Sequence, residues 1–339
     1  MSSVAEIVED VRARGDEAAR EWSLRLDGVE PARATASAVP EQAVLDLADA
    51  VERWHALQRP ADLRCEIRPG VELERRWVPL RSVGIYVPRG LVSTLVMCAV
   101  PARVAGVERI VVVTPPAGAG CVAAAARLLG IDEVWALGGP PAIAALAYGT
   151  EAIARVDKIC GPGGAYVNEA KLFVSRDVAI DLPAGPSEVV VLTADDADSR
   201  VVQLELAAQR EHGPDSVCRV VRVNGDLESA LAEVEELAPE HLVLLGEEAE
   251  SAADRIRNAG AVFVGPWAPV AAGDYATGGN HVLPTGGWAR SVGGLGLETF
   301  LRPITIQRVT QAGLAALRPT VEALASIENM PAHAAAVRR

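Results

Sequence analysis

The stretch VERIVVVTPPAGAGCVAAAARLLGIDEVWALGG, residues 107–139, decides the fold. It opens on a short β-branched run, passes a Pro-Pro turn signal and continues as an alanine-rich stretch of helical length. It closes on a second short apolar run, DEVWALGG. Short apolar runs on either side of a helix make a βαβ unit, and so a parallel sheet covered on its faces. Working outward, SVGIYVP (82–88) and VDKICGPGG (156–164) read as further strands, and PAIAALAYG (141–149) and AYVNEAKLFVS (165–175) as helices. The alternation restarts at SEVVVLTA (187–194). A helix over 198–211 follows, then SVCRVVRV, LESALAEVEEL, HLVLLG, EEAESAADRIRNAG and AVFVGP as strand, helix, strand, helix and strand.

This pattern predicts an α/β protein with two similar lobes built on parallel sheets. Val4, Ile7, Val8 and Val11 at helical spacing, and a second helix over 41–57, predict an N-terminal helical segment, residues 1–75. The first lobe is expected over 76–182 and the second over 183–302, with a Gly- and Pro-rich segment at 265–302. A C-terminal tail follows over 303–339. Its helix is expected to open with Pro319 in the first turn and to end before Pro331.

With 339 residues, half of them hydrophobic, the chain can bury a large core. Aromatics are only 4%, so that core must be aliphatic. A net charge of -13 argues against nucleic acid or an anionic membrane as partner. Five cysteines without a CxxC give no disulfide framework, and their apolar flanks predict that most are buried. The charged, helical N-terminus is not a signal peptide, and no apolar run reaches bilayer length, which points to the cytoplasm.

Histidines are scarce, five in all, and two follow a glutamate directly: Glu211-His212 and Glu240-His241. Gln209 and His212 lie at i and i+3 near a helix end, a spacing that suits two ligands of one metal and equally a polar helix terminus. Asp274 and His281 sit in the glycine-rich GDYATGGNHVLPTGG (273–287), where the backbone can approach a ligand; a turn-rich connection reads the same way. Glu328 and His333 lie in the tail on either side of Pro331, and His55 reads as structural. Residues of a regular strand alternate between faces, so Glu240 and His241 can share a pocket only where the chain is irregular. Pro239 favours that, and places the pair at the mouth of the following strand.

Taken together, GIYVPRG, PARVAGVERIVVVTPP, AIAALAYGT, VDKICGPGGAYVNEAK, IDLPAGPSEVVV, AAQREH, APEHL, GDYATGGNHVLPT and IENMPAHAAAV resemble the histidinol dehydrogenase family over nearly the whole chain. The resemblance implies Rossmann-like lobes and a zinc- and NAD-dependent, four-electron oxidation of L-histidinol to L-histidine through the aldehyde. It implies a metal site, one Zn2+ per subunit, at Gln209, His212, Asp274 and His333, with these residues also meeting substrate. It implies Glu240 and His241 as the catalytic pair, Ser187, His281 and Glu328 as further substrate contacts, and Tyr86 at the cofactor. It also implies a homodimer whose tails complete each other's sites. Three positions depart from the family pattern: Pro141 and Gly164 stand where glutamine and asparagine contact cofactor, and Arg89 where glycine is usual. Weak NAD binding is therefore expected. The stretch between His212 and Glu240 is also shorter than in the family. The competing expectations are a zinc-dependent dehydrogenase of another small polar alcohol, and a non-catalytic metal-binding relative.

Overall fold

The computed structural model describes residues 3–182 and 185–338. In chain order it runs α1 (Val4–Arg14), α2 (Asp16–Asp27), β1 (Ala32–Arg33), α3 (Glu41–Ala56), β2 (Leu63–Arg68), β3 (Val71–Pro79), β4 (Ser82–Tyr86), α4 (Val92–Ala105), β5 (Arg109–Thr114) and α5 (Ala119–Leu128). It continues through β6 (Val134–Ala136), α6 (Gly139–Tyr148), β7 (Lys158–Cys160), α7 (Ala165–Val174), β8 (Ala179–Ile180), β9 (Glu188–Thr193), α8 (Ser199–Arg210) and β10 (Val217–Arg222). Last come α9 (Leu227–Leu237), β11 (His241–Leu245), α10 (Glu247–Glu250), β12 (Ala261–Val264), α11 (Val270–Tyr275), β13 (Leu301–Val309), α12 (Gln311–Ile327) and α13 (Pro331–Ala336).

The chain separates into two compact units, Met1–Gln58 with Leu80–Phe300, and Arg59–Pro79 with Leu301–Arg339. The first unit holds both lobes. One is built on a six-stranded sheet of order β1-β6-β5-β4-β7-β8, in which only the β1–β6 pairing is antiparallel. The other is a four-stranded, wholly parallel sheet of order β10-β9-β11-β12. The expected boundary at 182–183 falls beside residues 183 and 184, which lie outside the described residues. The second unit is an antiparallel sheet, β13-β3-β2, with α12 and α13.

This division differs from the sequence-based one. Residues 59–79, expected to close an N-terminal helical segment, form β2 and β3, and β3 pairs with β13 more than two hundred residues later. Such a pairing leaves no local trace in the sequence. The final helix also starts earlier than expected: Thr310 caps it through Gly313 N, and Pro319 lies inside α12. His333 then sits on a further short helix, α13, and not on an irregular tail. The helix expected over 247–260 shrinks to α10 and a 3-10 turn. Only Cys98 and Cys160 are fully buried, while Cys65 is exposed.

The aliphatic composition is used as expected. One core packs Val8, Val11, Val111, Val113, Ile143, Leu146 and Ile159 of the first lobe together. In the second sheet the side-chain period of two divides the strands cleanly. Val190, Leu192, Leu242 and Leu244 face α9, and Val189, Val191, Val243 and Leu245 face α8. No helix among the described residues is long and apolar enough to cross a membrane.

Two edges follow from this topology. In the first sheet the strand order reverses between β4 and β7, and a crevice at the carboxyl ends of such strands is where open α/β sheets take ligands. In the second sheet the site residues gather at the opposite, amino edge. Ser187 and Glu188 lie where β9 begins, Glu240 and His241 where β11 begins, and Gln209 at the end of α8, which returns to that edge.

Candidate active site

The amino ends of β9 and β11 are joined through one carboxylate. Glu240 Oε2 accepts from Ser187 Oγ at 2.7 Å and from the Glu188 amide at 2.7 Å. Gln209 Nε2 donates to Ser187 Oγ at 2.8 Å, extending the chain to α8. His241 Nδ1 lies 3.0 Å from the Glu188 carbonyl and 3.5 Å from Glu240 Oε2. The carbonyl can only accept, so Nδ1 carries the proton and Nε2 keeps its lone pair. That Nε2 is buried and has no hydrogen-bond partner among the described residues. His241 lines a cavity of about 290 Å³ together with Phe263, Asp274, Thr277, Asn280 and His281.

Glu240 and His241 reach the same region because the chain before them is irregular. Ala238, held ahead of Pro239, has φ 45° and ψ 59°, a left-handed conformation that ends α9. Glu240 itself lies outside the regular strand and His241 is its first residue.

Asp274 arrives on α11, whose first amide, Val270 N, is held by Glu205 Oε2 at 3.1 Å. Glu205 is one helical turn before Gln209 on α8, so one helix face supports both candidate ligands. His281 Nδ1 lies 3.2 Å from the Asp274 carbonyl and 3.7 Å from its carboxylate. The ring's Nε2 is 3.4 Å from Thr94 Oγ1 on α4. The glycine-rich loop carrying His281 is pinned beside it: Asn280 Nδ2 donates to the Met97 carbonyl at 2.7 Å and lies 3.3 Å from His55 Nε2. A Cβ at Gly278 would sit 2.4 Å from the Ala50 carbonyl, so the loop lies directly on α3. His55 is therefore structural as expected, and it supports the site loop.

The charges acting here are one another's. Burial raises Glu188 and Glu205 above the usual carboxylate range, and the charge of Glu240 adds to the first and that of Asp274 to the second. Burial lowers His281, with Asp274 opposing. For His241, burial is the largest influence and pulls downward. The hydrogen bond and charge of Glu240, with the charge of Asp274, together outweigh it, and the ring titrates above the ordinary histidine value. A pocket lined by the Asp274 carboxylate and the two imidazoles of His241 and His281 suits a cation.

The expected metal set is distributed unevenly. Gln209 is buried and its carbonyl oxygen remains for a ligand, Asp274 lines the cavity, and His212 is exposed just past the end of α8. His333 and Glu328 belong to the other unit and are exposed there. No group of three His, Cys, Asp or Glu among the described residues is placed to hold a metal. A neutral amide, imidazole nitrogens and one carboxylate remain a donor set chemically suited to zinc.

Tyr86 lies at the other edge, at the carboxyl end of β4, with its hydroxyl 3.4 Å from the Gly139 amide at the start of α6. Burial raises its pKa, and the Gly139 amide opposes that. The surrounding turns form a cradle: a Cβ on Gly118 would fall 2.6 Å from the Gly90 amide, so the turns after β4 and β5 approach backbone to backbone. Thr94, Glu188, Glu205 and Asn280 were not singled out from the sequence. Each is a common polar residue whose role rests on burial and on a partner distant in the chain.

A family model described as histidinol dehydrogenase matches residues 1–228 and 219–339. The histidinol dehydrogenase of Methanothermobacter thermautotrophicus is 39% identical over 395 aligned positions, covering 100% of this chain and 93% of that protein. That of Cereibacter sphaeroides is 42% identical, covering 99% and 90%. The crystal structure of histidinol dehydrogenase from Elizabethkingia anophelis superposes with a TM-score of 0.91 at 34% identity, covering 98% of this chain and 90% of that one. The 395 positions exceed this chain's 339 residues by 56. The two model matches overlap at 219–228, from the end of β10 to the start of α9, within the stretch between His212 and Glu240 that was expected to be short.

The raised His241 carries a prediction about pH. A histidine raised in the fold contributes stability that is fully present below its unfolded value and is lost as pH rises through the folded one. In metal-free protein, NMR titration of the His241 ring should give a midpoint above 6.5, and Glu240→Gln should lower it. A midpoint unmoved by Glu240→Gln would contradict the electrostatic account.

Proposed function

This chain belongs to the histidinol dehydrogenase family, and from that premise we propose that it oxidises L-histidinol to L-histidine with NAD and zinc. The observation that carries the reading is the buried Glu240–His241 pair at the amino edge of the second sheet, with His241 lining a cavity and its Nε2 left without a partner among the described residues. NAD supplies the hydride acceptor and zinc an electrophilic anchor for substrate nitrogens. Gln209, His212 and Asp274, with His333, would hold the metal; Ser187, His281 and Glu328 would position substrate. The glycine cradle and Tyr86 would take the cofactor, and Pro141 and Gly164 offer it no side-chain amide.

The proton chemistry falls to this chain's side chains. In the first half-reaction His241 Nε2 would take the proton of the alcohol oxygen, and in the second the site would take the protons of the water that adds to the aldehyde; bound NAD would serve as hydride acceptor in each, so that alcohol becomes aldehyde and then carboxylate. Glu240 holds His241 in its basic tautomer through Glu188 and activates the water. A positioned base of this kind contributes roughly 10²–10⁴-fold. Free cysteines and the family's place in amino-acid biosynthesis support a cytoplasmic setting.

A stopped assay of purified, zinc-loaded protein should yield two NADH per histidine, and His241→Ala should slow alcohol oxidation by about 10²-fold or more. One NADH per product, with free aldehyde, would mean a simple alcohol dehydrogenase.

We further propose a homodimer with composite sites. Among the described residues the second unit buries only Val71, Leu301 and Ala325 as apolar side chains, while Leu63, Ile67, Leu324, Ile327 and Met330 stay exposed. A unit with so little core needs a covering surface, and an isologous dimer supplies it reciprocally. Inactive His212→Ala and His333→Ala proteins, mixed equally with subunit exchange, should then recover about a quarter of wild-type activity. A mixture that stays inactive would contradict shared sites.

A further inference from the structure

Lys171 and Asp181 form an ion pair that the chemistry above does not use. Lys171 Nζ lies 2.5 Å from Asp181 Oδ1, and the two side chains are 2% and 1% exposed. Taking both charges out of water costs about as much as their attraction returns, so such a pair is weak as a source of stability. Its hydrogen bonds indicate another role. Lys171 Nζ donates to the Gly161 carbonyl at 2.8 Å, and the Gly161 amide donates to Asp181 Oδ2 at 2.6 Å. One residue is thus gripped on both its peptides by the two members of the pair.

That residue is at the switch point. Gly161 follows β7, has φ 105°, and a Cβ there would lie 2.1 Å from the Tyr86 carbonyl at the end of β4. It opens the turn 161–164 that leads into α7. Three carbonyls of this turn are drawn inward: Gly161 O to Lys171, Gly163 O to Asn168 Nδ2 at 2.6 Å, and Gly164 O to the Val167 and Asn168 amides of α7. The amides of Gly163 and Gly164 donate to nothing among the described residues. A turn whose carbonyls are tied back and whose amides are left over presents partial positive charge, the arrangement that receives a phosphate.

We propose that the buried Lys171–Asp181 pair is a positioning device for the cofactor: by gripping Gly161 it sets the turn 161–164 in the shape that takes the dinucleotide's phosphates. This rests on the NAD reading above. The pair then replaces part of what Pro141 and Gly164 do not supply, through backbone geometry in place of side-chain amides.

The test separates positioning from stability. Lys171→Met leaves Asp181 buried without its partner and should lower Tm strongly. Lys171→Met with Asp181→Leu removes both charges at similar volume and should recover most of that Tm. NAD affinity should not recover: calorimetric titration of the zinc-loaded double variant should give a Kd raised about tenfold or more. Hydrogen exchange over 161–168 should be faster than in wild type, with β9 and β11 unchanged and zinc content retained. A double variant that binds NAD within about twofold of wild type overturns the proposal. Should that variant not fold, Asp181→Asn carries the same test, with Kd raised about threefold or more expected and an unchanged Kd overturning it. A wild-type protein that binds no NAD contradicts the cofactor reading and this inference with it; a wild type that binds while the variants bind equally well contradicts this inference alone.

Discussion

The Glu240 carboxylate, buried and bonded to the Ser187 hydroxyl and the Glu188 amide, is the contact on which the site depends. It closes the amino ends of two neighbouring parallel strands and fixes the Glu188 carbonyl against His241. From that follow the tautomer of the imidazole, the free Nε2 and the raised titration of the ring. Removing the carboxylate leaves a half-buried hydroxyl and a half-buried amide without this acceptor, which costs at most about 1–3 kcal/mol for each group. The arrangement is thus both a structural tie and a chemical one.

The two lobes resemble each other in construction and differ in which edge they use. The first offers the carboxyl ends of β4 and β7, where backbone turns meet over glycine. The second offers the amino ends of β9 and β11, where carboxylates and imidazoles collect. The glycine-rich loop carrying His281 is held by α3 and α4, and α4 is the helix that follows β4. One helix therefore touches both edges, through Thr94 on one side and the turn after Tyr86 on the other.

Most of the parallel architecture was legible because short apolar strands and alanine-rich helices alternate with sharp Gly and Pro punctuation. The reading of residues 59–79 went differently because β2 and β3 take their identity from a partner, β13, that no local pattern reveals. Pro319 suggested a helix start, yet α12 has already formed and accommodates it. In the site, Glu240 and His241 stood out as a repeated dipeptide among few histidines, and the family motifs pointed to Gln209, His212, Asp274 and His281. Glu205, Thr94 and Asn280 carried no such signal. Each acquires its role only when the fold brings it to Val270, His281 or Met97.

The central claim is that Glu240 and His241 divide the two oxidations between them. Single-turnover measurements on Glu240→Gln, supplied in turn with histidinol and with the aldehyde, test it most directly. The account predicts that aldehyde oxidation falls by about 10²-fold or more while alcohol oxidation falls distinctly less, because only the aldehyde step needs an activated water. Equal losses in both steps, or aldehyde oxidation at the wild-type rate, would contradict it.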